Sequence, residues 1–164
     1  MALKGQKTKS DFLEWEKTQL LIQKLERDGE NLFALLIAIG SYTGLRISDI
    51  QKLRWEQLLN KQQLELHEQK TGKLRMIQLH AELQEIVKRI FTSTQVKESS
   101  SIFLNRSGEI ISVQYINRKL KAIEKQYELG IRFSTHSFRK TFGRRIWNRN
   151  NNSEKALFML GQVF

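Results

Sequence analysis

His136-Ser137-Phe138-Arg139 and, far upstream, Thr43-Gly44-Leu45-Arg46 carry the residue types of a phosphodiester site. An arginine offers planar, paired donors to phosphate oxygens, and a histidine beside it can move a proton near neutral pH. In-line attack on a phosphodiester places extra negative charge on the non-bridging oxygens. Two fixed guanidiniums stabilise that charge without themselves being deprotonated. Arg46 and Arg139 are therefore the candidate phosphate ligands, with His136 as a proton carrier or a further donor. The competing reading makes Arg46 a helix-flanking surface charge, Arg139 part of a solvated face and His136 a helix cap. Such a site needs a nucleophile, and none stands in an obvious place: there is no cysteine, and Tyr42, Tyr115 and Tyr127 all precede His136. No carboxylate cluster suggests a two-metal nuclease, so neither metal nor cofactor is expected.

Between the two boxes lies Lys70-Thr71-Gly72-Lys73, flanked by alternating runs, Gln63-Leu64-Glu65-Leu66-His67 and Arg75-Met76-Ile77-Gln78-Leu79. Period-two alternation around a Thr-Gly turn predicts a β-hairpin. Elsewhere the spacing is helical. Asp11-Phe12-Leu13-Glu14 has the form of a capping box opening a helix that runs to about Arg27. Asn31 is placed to cap a second, more apolar helix from Leu32 to about Tyr42, which Gly44 breaks. Ser48-Asp49-Ile50-Gln51 reads as a further capping box for a short helix through Leu53. Helices follow at about Ala81–Phe91, from Ser112 to Leu129, at about Ser137–Asn148 and from Ser153 onward. Ile102-Phe103-Leu104 fits a short strand or a buried extended segment, and Asn105 to Gly108 a turn. The order is helices, small sheet, helices: an α+β fold, mostly α-helical.

Composition limits what the chain can do. Its 164 residues fit one domain, 11–164, behind a flexible basic segment at 1–10, and 40% hydrophobic residues suffice for a core. With 28 Lys+Arg against 17 Asp+Glu the net charge is +11, which attracts a polyanion. The plainer alternatives are a solubilising surface or an acidic protein partner. An anionic membrane fits less well, because the basic residues are not gathered opposite a bulky apolar helix face. No apolar run approaches the ~20 residues that span a bilayer, and the N-terminus lacks an apolar signal segment. The expected location is the cytoplasm.

Thr43-Gly44-Leu45-Arg46-Ile47-Ser48-Asp49-Ile50 followed by Leu53-Arg54-Trp55, then Lys70-Thr71-Gly72-Lys73, then His136-Ser137-Phe138-Arg139-Lys140-Thr141-Phe142, together resemble the tyrosine recombinases, the integrases of phages and mobile elements. The similarity is to their catalytic domain, over about residue 10 to the last residue, with three boxes in the family's order. It implies a helical bundle with a small antiparallel sheet. It implies Arg46, Lys70, His136 and Arg139 as catalytic residues, Lys70 being the general acid for the 5′ oxygen on a mobile hairpin reaching the DNA. Asp49 would orient the arginine cluster. Lys73, Arg118, Lys119, Lys121 and Lys140 are candidate DNA contacts, with a solvated face as the equal alternative for the three on the helix after Ser112. The partner implied is double-stranded DNA, with a tetramer on DNA for a full-length enzyme and a monomer for the isolated domain.

The pattern departs from the family toward its end. The family carries a further His or Trp shortly before its nucleophilic tyrosine. In one register Gln162, in Leu160-Gly161-Gln162, takes that position; glutamine donates to phosphate but cannot shuttle a proton at neutral pH. In another, Asn148–Asn152 is an insertion and the motif lies beyond Phe164. No nucleophile is assigned in this chain, which is expected to stop before the family's last helix. The sequence is likewise expected to begin close to where the family's catalytic domain begins, after its N-terminal helical domain. The first expectation is the catalytic domain of a site-specific DNA recombinase. The second is a non-catalytic DNA-binding module that keeps the fold, and a third, plainer one is a basic helical domain that binds RNA or protein.

Overall fold

The computed structural model describes residues 10–163, with side chains as far as residue 161. The basic segment expected at 1–10 therefore lies, but for Ser10, outside the described residues. Seven helices and two strands follow in order: α1 (Trp15–Arg27), α2 (Asn31–Thr43), α3 (Ile47–Ile50), β1 (Gln63–His67), β2 (Leu74–Gln78), α4 (Ala81–Thr92), α5 (Val113–Gln126), α6 (Thr135–Arg149) and α7 (Glu154–Val163). The mostly helical α+β class holds. A 3-10 turn at Trp55–Gln57 was not legible in the sequence.

α2 is the centre of the molecule. Every residue from Phe33 to Thr43 is buried, as expected of a helix that is apolar all round. α1, α4 and α6 pack around it. Close approach of α6 depends on two glycines. A Cβ on Gly40 would lie 2.6 Å from the Phe138 ring, and one on Gly44 would lie 2.6 Å from the Phe142 ring. Gly44 also ends α2 in the left-handed conformation, at φ 65, where glycine carries no Cβ penalty. The start of α1 is tied to α6 as well: the Leu13 amide donates to Thr141 Oγ1 at 3.0 Å, and that hydroxyl donates back to the Leu13 carbonyl at 3.1 Å. On the same helix the Arg145 guanidinium carbon lies 3.9 Å from the Trp15 ring centroid.

The expected hairpin forms, antiparallel, with Leu64 opposite Ile77 and Leu66 opposite Arg75. Leu64 is buried, while Glu65 and Met76 are exposed. Arg75 thus occupies the inward row, beside leucine and isoleucine. Ile102 and Phe103 are buried in a bend rather than a strand, flanked by isolated bridges at Arg54–Ser101 and Leu104–Ile110.

Two expected capping boxes are replaced by longer-range bonds. Asp11 Oδ2 accepts from the Arg132 amide at 3.4 Å, and α1 starts after Glu14 with no side-chain cap. Ser48, the expected cap, lies inside α3, which follows Arg46 with no side-chain cap, and the Oδ1 of its neighbour Asp49 accepts the Gln69 amide at 2.8 Å. Asn31 is the first residue of α2 rather than its cap. At α5 the Ser112 side chain does cap, accepting from the Tyr115 amide.

Candidate active site

The left-handed turn at Gly44 brings the two sequence boxes together. It releases the chain from α2 so that Arg46 stands extended, immediately before α3. From α6, Arg139 Nη1 donates to the Gly44 carbonyl at 2.6 Å. The glycine contacts that seat α6 on α2 therefore also set the distance between the two arginines. Arg139 is half-buried, and burial together with the neighbouring charges of Arg46 and Arg75 pushes its pKa below the usual arginine value; Glu68 and Asp49 oppose that shift. An arginine stays charged under such pressure, so three guanidiniums and two carboxylates share one small region.

Sequence reasoning missed the residue at its centre. Glu68, 9% exposed, sits just after β1. Its Oε2 accepts from Arg46 Nη1 at 2.9 Å and from Thr71 Oγ1 at 2.9 Å, and its Oε1 accepts from Arg75 Nη1 at 3.1 Å. Burial raises the Glu68 pKa, but the bonds from Thr71, Arg46 and Arg75 outweigh it and hold the carboxyl below the ordinary glutamate value. The available signal was Arg75: an arginine on the inward row of a half-buried strand requires an anionic partner.

Lys70 is exposed in a turn closed by two backbone bonds, Glu68 N–H to Lys73 O at 3.0 Å and Gly72 N–H to Glu68 O at 2.8 Å. Gln69 adds its tie to Asp49 and accepts from Lys52 Nζ. The turn that carries Lys70 is thus fastened to the arginine region. Asp49 is 5% exposed, and its Oδ2 has no hydrogen-bond partner among the described residues. The carboxylate bonded to Arg46 is Glu68, not Asp49.

His136 is exposed in the first turn of α6, one turn before Arg139 and so on the same side of the helix. It lines a surface pocket with Asn117, Lys121, Glu124 and Arg132. Lys140 Nζ donates to the Ser10 carbonyl, and Lys73 is exposed. Lys119 pairs with Glu30 at 3.1 Å and lies over the Phe33 ring. That is the opposite end of α2 from Arg46, a helix length of about 20 Å away. Arg118 lies over the Tyr115 ring. The side chain of Gln162 is outside the described residues.

Each tyrosine has partners other than Arg46 and Arg139. The Tyr42 hydroxyl donates to Glu82 at 2.5 Å, and burial followed by this bond raises its pKa. The Tyr127 hydroxyl donates to Asp28 at 2.7 Å; burial, then Asp28, pushes it up to about 12. The Tyr115 ring packs at 6.3 Å from Phe33. Among the described residues, no group of acidic or histidine side chains could hold a metal ion, and no helix is long and apolar enough to cross a membrane.

The sequence matches the family model described as "Phage integrase family" over residues 11–161. This chain belongs to the phage integrase family. Solved structures of similar fold include the XerA recombinase, with TM-score 0.72 and 15% identity, covering 100% of this chain and 57% of that one. The Tn1549 transposon integrase, solved in complex with circular intermediate DNA, gives TM-score 0.68 and 18% identity over 97% of this chain and 59% of that one. The lambda integrase catalytic core gives TM-score 0.66 and 20% identity over 93% and 91%. At such identities the likeness is one of fold, that of the tyrosine recombinase catalytic domain. This integrase-family chain spans less than two thirds of the first two relatives. A search of curated proteins finds no match.

Proposed function

We propose that the chain is the catalytic domain of a site-specific DNA recombinase, and that its arginine cluster seats the phosphodiester that is cut and rejoined. The observation that carries this is the meeting of Arg46 and Arg139 at the Gly44 turn, with the Lys70 turn fastened beside them. In the full reaction a tyrosine hydroxyl attacks phosphorus. A phosphorus–tyrosyl oxygen bond forms, and the bond to the 5′ oxygen breaks. Arg46 and Arg139 stabilise the charge gathered on the non-bridging oxygens. Lys70 gives its proton to the departing 5′ oxygen, and His136 takes the proton of the attacking hydroxyl or donates to the phosphate. The intermediate is a 3′-phosphotyrosyl ester, whose reversal by a new 5′ hydroxyl rejoins the strand. The chain's tyrosines have other partners in Glu82, Asp28 and Phe33, which supports a reading in which this chain alone binds DNA without cleaving it. Asp49 supports the arginines through the Gln69 turn. Lys73, Lys121 and Lys140 contact phosphates from the rim, and the full-length enzyme acts as a tetramer on DNA.

A second reading, a DNA-binding module that has lost cleavage, is favoured by the engagement of all three hydroxyl or ring groups of the tyrosines elsewhere. Both readings require DNA binding through the arginines, which sets them apart from a basic domain for RNA or protein. Arg139→Ala is expected to weaken binding to duplex DNA by about ten-fold, the weight of a charge-assisted hydrogen bond, at an unchanged circular dichroism spectrum. Unchanged affinity in a folded variant would refute the phosphate seat.

A further inference from the structure

Arg75 and Glu68 are the two charged residues of the cluster that no sequence box contains. Arg75 projects from the inward row of β2, with its side chain 15% exposed, and the Glu68 side chain beside it is 10% exposed. Their pairing satisfies both, yet Glu68 does more than neutralise Arg75. Through Oε2 it reaches Arg46, on the chain leaving α2, and Thr71, inside the turn that carries Lys70. One carboxylate thus joins three separate pieces: the arginine box, the strand β2 and the lysine turn. It takes from Arg46 a single nitrogen, Nη1, whereas a guanidinium has five N–H donors. Glu68 therefore stands beside the phosphate seat rather than in it.

We infer that Glu68 and Arg75 are positioning residues for phosphodiester binding: Glu68 locks Arg46 to the Lys70 turn, and Arg75 holds Glu68 in place. The inference rests on the recombinase reading above, because it presumes that Arg46 meets DNA phosphate. Arg46 is long and flexible, and an arginine held at one nitrogen presents the rest of its fork in a fixed plane. Without Arg75, Glu68 would be drawn wholly to Arg46 and would compete with the phosphate. Without Glu68, Arg46 and Arg75 would repel one another, and the turn would lose its inner hydrogen bond.

A double-mutant cycle in duplex-DNA binding by the whole chain tests this, read as affinity and as the slope of log Kd against log salt. Glu68→Gln removes a negative charge, so charge alone predicts tighter binding with a steeper slope. Positioning predicts the reverse: binding about five-fold weaker, a slope shallower by about one phosphate contact, and no further loss when combined with Arg46→Ala. Tighter or unchanged binding would overturn the positioning role while Arg46→Ala still weakens binding, leaving the recombinase reading in place. A loss that simply adds to that of Arg46→Ala would also overturn it, as general structural damage does. If Arg46→Ala leaves DNA binding unchanged, the recombinase reading falls and this inference with it. Should Glu68→Gln fail to fold, Arg75→Gln enters the same cycle, and its non-additivity with Arg46→Ala decides.

Discussion

Glu68 sets the acid sensitivity of the site. Its carboxyl titrates below the ordinary value of 4.5 because Thr71, Arg46 and Arg75 all donate to it, which outweighs its burial. A carboxylate whose folded pKa is depressed contributes stability in full above its unfolded pKa and loses it as pH falls through the folded one. The melting temperature of the wild type is therefore expected to fall below about pH 4.5 more steeply than that of Glu68→Gln. Parallel melting curves against pH would show that the carboxylate carries no such linkage. At this scale the sequence was half legible. Arg46, Lys70, His136 and Arg139 stand in recognisable boxes, and the structure brings Arg46 and Arg139 to the same turn. Glu68 was hidden because its role depends on which residue of β2 faces inward, a matter of strand register.

Among the elements, the pairing of α2 with α6 governs the site. Gly40 gives Phe138 room, and a methyl group there meets the ring at 2.6 Å. Gly40→Ala is expected to destabilise by about 1–3 kcal/mol, as overpacking does, and to weaken DNA binding by lifting Arg139 from the Gly44 carbonyl. Thermal melting and a DNA titration on one preparation check both. A variant as stable as wild type would mean that the helices part without cost. The amphipathic helices and the hairpin were readable because their apolar residues repeat at 3.6 or 2, and α2 because its apolar run ends at Gly44. The N-terminal caps of α1 and α3 were misread for a physical reason. Aspartate bonds whichever amide is nearest in space, and for Asp11 that amide is Arg132, far along the chain; Ser48, the cap expected for the short helix, lies inside α3, which already runs from Ile47.

Across the whole molecule, a net charge of +11 favours any polyanion, and for the proposed DNA partner that attraction is independent of base sequence. Lys119, already paired with Glu30 at the other end of α2, contributes to that general field rather than to the seat. The proposed phosphate seat should stand out against this background, because two of its cations, Arg46 and Arg139, are held by hydrogen bonds to Glu68 and to the Gly44 carbonyl. The direct test is the salt dependence of duplex-DNA binding by the wild type and by the Arg46→Ala, Arg139→Ala double variant. The predicted result is weaker binding and a slope shallower by about two phosphate contacts in a variant that still melts cooperatively. An equal slope and affinity in the folded double variant would contradict the claim that these two arginines hold a phosphodiester.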